Sequence, residues 1–120
     1  MKKTLPRHGD EVESVFDRSR PIIRFALVSF YRLTDEEARG AEEDLRLWFS
    51  RLVRRSGGGP APERLLRTSL VSAACQYGRS FQLWKSRSGG PVDPELRAIL
   101  AREPEEVSET LYRKFDEDKS

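Results

Sequence analysis

Five polar side chains, four of them cationic, lie on one side of a helix predicted over residues 62–85. At 100° per residue they fall opposite an apolar arc about 80° wide. We call them the polar strip: Arg64, Arg67, Arg79, Gln82 and Lys85. Because Lys and Arg neutralise phosphates and release counterions, a strip with almost no acid in it favours binding of a polyanion. A solvated helix surface is the alternative explanation.

The opposite face of this helix carries six apolar residues, which predict a wall of the protein core. They are Leu66, Leu70, Ala73, Tyr77, Phe81 and Trp84. Trp84 lies at the end of the helix and is the aromatic residue expected to reach the surface. An exposed tryptophan there could stack on an unpaired base.

Catalysis and metal binding have few candidate residues. The chain has one cysteine, Cys75, and one histidine, His8. A zinc site built from His and Cys needs at least three such ligands. A nucleophile with a histidine base would have to unite His8, in the polar N-terminal segment, with Cys75 or a serine. The sequence therefore predicts no enzyme activity, no metal, no cofactor and no small-molecule substrate, and Cys75 is interpreted as structural.

The net charge of +2 combines a strongly basic block, two acidic blocks and a mildly basic first segment, residues 1–32, which contains seven basic and four acidic side chains. Residues 53–91 contain seven basic and one acidic side chain, residues 33–52 three and six, and residues 92–120 five and nine. The basic block should attract polyanions locally. The acidic residues 92–120 could instead fold across it and compete with DNA.

Hydrophobic periodicity predicts an all-α fold, since no segment alternates with a period of two. The helix expected over residues 10–33 contains Pro21, which either kinks it or divides it into two helices, the second capped by Ser19. Thr34 and Glu37 form a capping box for the next helix. Its apolar stripe is Ala38, Ala41, Leu45, Phe49 and Leu52.

Proline and glycine mark the remaining boundaries. The connector over residues 56–62 lacks the glycine spacing of a phosphate loop. Two short helices are expected to start at Asp93-Pro94 and at Pro104. The predicted organisation is a flexible N-terminus (1–9), a helical domain (10–88), a short acidic helical extension (92–116) and a frayed tail (117–120). Without a signal peptide or an apolar run of about 18 residues, a cytoplasmic protein is expected.

Residues 15–87 resemble region 2 of bacterial RNA polymerase sigma factors, particularly the small extracytoplasmic-function type. The resemblance is carried by a helix with a mid-proline, an acidic helix and a basic helix ending in aromatics, in the family's order. The family's second helix reads like D-A-E-D-L-V-Q-E-V-F-L-R-L-W. One register matches Leu45-Arg46-Leu47-Trp48 to its final L-R-L-W. A shift of two, which aligns Ala38 with the family alanine and Glu43 with the glutamine, preserves the core-facing period and is preferred.

The resemblance implies a compact three-helix, sigma region 2-like bundle followed by two short C-terminal helices. It implies that Glu43, Asp44 and Leu47 contact the clamp helices of core RNA polymerase. It also implies that the third helix contacts promoter minus-ten DNA through Arg64, Arg67, Arg79, Gln82, Lys85 and Trp84. The implied function is transcription initiation, with core RNA polymerase, promoter DNA and a regulatory protein as partners.

The family's region 4, a helix-turn-helix domain, is expected to be absent or degenerate. The segment ILAREPEEVSETLYRKF resembles its last two helices, but four glutamates would repel phosphates where a recognition helix enters the groove. They are Glu103, Glu105, Glu106 and Glu109. A second hypothesis is therefore a regulator or adaptor that keeps the region 2 scaffold and acts by protein–protein contacts. A third is a small helical protein without a nucleic-acid role.

Overall fold

The computed structural model describes the backbone of residues 8–55, 63–87, 89 and 93–119, and the side chains of residues 14–53, 65–87, 89 and 93–118. These residues form helices and no strand, which confirms the predicted all-α fold. The α-helices are α1 (His8–Arg24), α2 (Asp35–Arg55), α3 (Glu63–Arg87), α4 (Pro94–Leu100) and α5 (Pro104–Lys119). A π-helical turn, Phe25–Phe30, continues α1.

Helix α1 runs through Pro21, so of the two alternatives at this proline the division into two helices is wrong. Ser19 does not cap a second helix: its side chain is buried and its hydroxyl has no hydrogen-bond partner among the described residues. The interruption comes later, in the π-helical turn, where the Tyr31 amide donates to the Ala26 carbonyl at 2.9 Å. The wider turn leaves Leu27, Phe30 and Tyr31 all buried.

The capping box predicted for α2 is confirmed. The Glu37 amide donates to Thr34 Oγ1 at 3.1 Å, and the Thr34 amide donates to Glu37 Oε1 at 2.9 Å. The first four stripe residues are buried: Ala38, Ala41, Leu45 and Phe49. Leu52 is 37% exposed, contrary to prediction, because it lies near the end of α2, where neighbouring helices give less cover.

The predicted apolar arc of α3 is confirmed only in part: Leu70 is buried, and Leu66, Ala73, Tyr77 and Phe81 pack against the core from its edge. The fully or almost fully buried residues of α3 are Leu70, Val71, Ala74, Cys75, Gly78 and Gln82. At 100° per residue their centre lies roughly a quarter turn from the centre of the predicted arc. Leu66, Ala73, Tyr77 and Phe81 are only half-buried, and Trp84 is 64% exposed.

The two C-terminal helices start where predicted and belong to the same core. The Asp93 carboxylate caps α4 by accepting from the Leu96 amide at 3.0 Å, with Pro94 in the first turn. Four of their side chains join the hydrophobic core: Leu96, Leu100, Val107 and Leu111. The predicted three-helix bundle is therefore not a separate unit in the described chain. The expected fraying from residue 117 is also wrong, because α5 continues to Lys119.

Candidate partner-binding surface

The described members of the polar strip on α3 differ in exposure: Gln82 is buried, Arg67 and Arg79 are half-buried, and Lys85 is exposed. Gln82 is 6% exposed, and its Nε2 donates to the carbonyls of Tyr31 at 2.7 Å and Arg32 at 3.1 Å. Both carbonyls lie just after the π-helical turn, where the chain leaves helical geometry and Arg32 has a φ of 62°. An amide donor at this position satisfies carbonyls that have lost their helical partners. Gln82 is therefore a structural residue of the core.

Arg79 and Lys85 connect α3 to other helices. Arg79 Nε donates to the Leu100 carbonyl at the end of α4 at 3.1 Å, and its Nη1 lies 3.9 Å from Glu103. Lys85 Nζ lies 2.9 Å from Glu37 in the capping box of α2. These contacts stabilise the packing of α3 against its neighbours.

Two further cations belong to the strip. Arg67 is half-buried, and the Arg64 side chain lies outside the described side chains. The prediction of one exposed strip opposite the core is thus wrong, because the core-facing side of α3 passes through it.

Two ionisable side chains next to the polar strip, Cys75 and Tyr31, are buried, and burial keeps both protonated at neutral pH. Burial raises the pKa of the Cys75 thiol to about 12, so it stays protonated at neutral pH. Burial also raises the pKa of Tyr31 well above its ordinary value, the neighbouring Cys75 adds to the rise, and Arg79 opposes it. The Tyr31 ring packs directly on Gly78, where a Cβ would lie 2.9 Å from the ring.

The outward side of α3 forms a groove of about 600 Å³ with α2, which we call the tryptophan groove. Trp48 and Trp84 lie along it, 40% and 64% exposed, and Phe81 packs 5.9 Å from Trp84 between ring centroids. The remaining lining residues are Asp44, Leu45, Ala73, Gln76, Tyr77 and Ser80. An apolar groove with a few polar groups at its edge is typical of a site that binds a partner or ligand.

One carboxylate belongs to the tryptophan groove. Asp44 Oδ2 accepts a hydrogen bond from the Tyr77 hydroxyl at 2.9 Å, and Asp44 forms no ion pair with a described residue. Partial burial, followed by the hydrogen bond to Asp44 and its negative charge, raises the pKa of Tyr77. Tyr77 therefore remains a donor at neutral pH and holds the carboxylate at the wall of the groove.

The three residues assigned to polymerase contact point in different directions from α2. We call the exposed side of this helix, centred on Leu47, the crest of α2. Leu47 is 49% exposed on the crest itself. Asp44 lies on the groove side, whereas Glu43 lies on the α1 side and pairs with Arg46 at 2.8 Å. The structure thus brings Asp44 and Trp84, assigned by the sequence to different partners, to one groove.

Sequence reasoning missed the groove because Tyr77 and Phe81 were assigned to the core. The usable signal was Trp48, which lies at the margin of the apolar stripe of α2, and Trp84 at the helix end. Two tryptophans outside the core stripes of neighbouring helices are typical of a shared surface site.

Comparison with known proteins gives no relative: no family model, no curated protein and no solved structure matches the chain. Within the described residues no group of three or more His, Cys, Asp or Glu side chains could hold a metal ion. None of the described helices combines the length and apolar composition that crossing a membrane requires.

Proposed function

We propose that the chain is a transcription-associated adaptor that binds core RNA polymerase through the crest of α2 and the tryptophan groove, and acts by protein–protein contact. One observation carries the proposal: the residues assigned to polymerase lie at the surface, whereas Gln82 of the polar strip is buried and Arg79 and Lys85 are already bonded to other helices. Leu47 is 49% exposed, while Gln82 is 6% exposed and bonded to two backbone carbonyls.

The chemistry of the groove favours a protein partner over a polyanion. Exposed tryptophans in a desolvated groove are typical binding hot spots, worth 2 kcal/mol or more each as an order of magnitude. Asp44 adds a negative charge that no described cation neutralises, so it complements a basic side chain and repels a phosphate. A partner helix with apolar and basic residues fits both features.

Binding of the full chain to purified core RNA polymerase at low salt tests this proposal. We expect the double charge reversal E43K/D44K to weaken the complex at least tenfold, because it removes the acids that face the partner. A matched control, E105K/E109K, changes the net charge equally on exposed residues of α5 and should have little effect. Absence of binding by the unmodified chain, or equal losses in the two variants, would contradict the proposal.

Promoter recognition of the sigma-factor type is a second candidate, favoured by the exposure of Trp84. A tryptophan 64% exposed at the end of a helix is available for base stacking, which contributes about 1–3 kcal/mol per base. Fluorescence anisotropy with single-stranded and duplex oligonucleotides separates the two functions. If the chain recognises promoters, it should bind the single strand more tightly than the duplex, in a salt-dependent way, and W84A should weaken that binding about tenfold. If the chain is an adaptor, we expect no preference for the single strand.

A further inference from the structure

A second cleft, between α1 and α2, is lined by four arginines and has a volume of about 590 Å³. Arg20 and Arg24 lie one turn apart on α1, and Arg39 and Arg46 lie two turns apart on α2. We call it the arginine cleft. It lies on the opposite side of α2 from the tryptophan groove, and none of the arginines belongs to the polar strip.

A buried carboxylate positions the arginines of α1. Glu42 is 8% exposed and its Oε2 accepts from Arg24 Nη2 at 2.9 Å, while its Oε1 lies 3.8 Å from Arg20 Nε. A guanidinium carries five N–H donors in a fixed plane. Because Arg24 donates only this one hydrogen bond to described residues, Glu42 fixes its orientation and leaves most of its donors available.

The three carboxylates of the cleft are each already paired with an arginine. Asp17 lies 3.2 Å from Arg20, Glu42 pairs with Arg24, and Glu43 lies 2.8 Å from Arg46. Arg39 is exposed and has no carboxylate partner among the described residues. The cleft therefore has one cation in excess, beside guanidiniums that an ion-pair network already holds in place.

We propose that the arginine cleft binds a small molecule carrying a diphosphate group, held by Arg39 together with the free donors of Arg24 and Arg20. Guanidiniums bind phosphate oxygens with paired, charge-assisted hydrogen bonds. The volume lies in the range of small-molecule sites. The side chains of Asp17 and Glu43 are 66% and 60% exposed at the mouth, so they repel an extended polyanion such as DNA more than a compact ligand. The cleft shares Glu43 with the surface proposed for polymerase, but its occupant and its test variant, R39Q, do not depend on the adaptor function.

Calorimetric titration of the full chain with sodium pyrophosphate at pH 7.5 and low salt tests the site. We expect saturable binding that R39Q weakens at least tenfold, since the substitution removes the unpaired guanidinium without breaking an ion pair between described residues. R113Q is the matched control: it removes one exposed arginine, on α5, and should change the affinity less than twofold. Circular dichroism checks that both variants keep the helical content of the unmodified chain.

Nitrogen-15 spectra of the arginine Nε groups provide the second measurement, because they report contact at individual guanidiniums. Pyrophosphate should shift the Arg39 and Arg24 signals and leave the Arg113 signal in place. A parallel titration with adenosine diphosphate asks whether a nucleoside adds affinity to the same diphosphate contact. Lack of saturable binding, equal effects of R39Q and R113Q, or binding of duplex DNA but not of pyrophosphate would overturn the assignment.

Discussion

The two sides of α3 invert the usual arrangement of polar and aromatic residues. The inward side contains Gln82, 6% exposed, and the small residue Gly78, whereas the outward side presents Phe81 and Trp84 to a groove. Hydropathy alone predicts the reverse. The difference teaches that a polar side chain is buried where it satisfies backbone groups, since Gln82 donates to two carbonyls after the π-helical turn. The inversion concerns only the last turns of α3, because Leu70, Val71, Ala74 and Cys75 keep the rest of the inward side apolar.

The cause lies outside α3, in the chain segment that follows α1. The π-helical turn ends at Phe30, and Arg32 adopts a left-handed φ of 62° that reverses the chain. Arg32 then pairs with Asp93, the cap of α4, and with Glu95 at 3.2 Å. The exit of the turn is thus a junction of three segments, and Gln82 is its buried donor.

Replacing Gln82 by leucine is the strongest test of this comparison, with an expected loss of about 3 kcal/mol in the free energy of unfolding. Two carbonyls lose their donor, and each unsatisfied buried group costs about 1–3 kcal/mol. Trp84→Ser, two residues further along on the outward side, is the control and should cost less than about 0.5 kcal/mol because the side chain is exposed. Urea unfolding followed by circular dichroism measures both. If Trp84→Ser lowers the free energy of unfolding more than Gln82→Leu does, then the side of α3 that carries Trp84 is the buried side, contrary to the structure.

Alanine substitutions at Gly78 and Gly40 test the packing of α3 with smaller expected changes in the free energy of unfolding. A Cβ at Gly78 would lie 2.9 Å from Cβ, Cγ and Cδ2 of the buried Tyr31, and overpacking of this kind costs about 1–3 kcal/mol. Within a helix, alanine is more favourable than glycine by about 1 kcal/mol because of its higher helix propensity. Gly78→Ala should therefore lose about 1 kcal/mol, whereas Gly40→Ala, with no atom within 4 Å of its Cβ, should gain up to about 1 kcal/mol.

Thermal and urea unfolding of the two alanine variants distinguish packing from propensity. Both changes are chemically identical, so propensity alone predicts equal stabilisation. Stabilisation of Gly78→Ala by as much as Gly40→Ala would show that Tyr31 does not pack against α3 as the structure has it.

Local signals in the sequence predicted the helix boundaries well. The capping box of Thr34 and Glu37 and the Asp93 cap each act within four residues, so the sequence contains the complete interaction. The sequence left open whether Pro21 kinks or divides the first helix, because proline propensity is weighed against tertiary burial: Phe16 and Ile23, on either side, are buried and keep α1 continuous. Tertiary packing decided that case.

The candidate site was predicted only in part for the same reason. Leu47 and Trp84 were identified as surface residues from their positions on isolated helices. The burial of Gln82 depends on carbonyls about 50 residues earlier in the chain, and the pairing of Asp44 with Tyr77 spans 33 residues. Periodicity within one helix contains no information about such partners, so the rotation of α3 could not be derived from it.

Removing the contact between Lys85 and Glu37 should have the smallest effect on stability, and that effect should depend on pH. Burial tends to raise the pKa of Glu37, but the Lys85 hydrogen bond and charge and the bonds to Thr34 outweigh it, so the folded pKa lies below the ordinary value of 4.5. A depressed carboxylate pKa stabilises the fold above the unfolded pKa, and this stabilisation is lost as pH falls through the folded pKa. Glu37→Gln should cost about 0.5–1 kcal/mol at pH 7, reduced by the exposure of Lys85, and progressively less as the pH falls through the folded pKa.

Urea unfolding at pH 7, 4.5 and 3 measures this difference. Glu36→Gln is the control, since it removes a carboxylate from the same helical turn that Lys85 does not contact among the described residues. If Glu37→Gln costs the same free energy at pH 3 as at pH 7, then the contribution of Glu37 comes from its capping hydrogen bond with the Thr34 amide and not from its charge. In that case the hydrogen bonds of Gln82 to the carbonyls of Tyr31 and Arg32, and not the ion pair of Lys85, would be the polar contact that orients this end of α3.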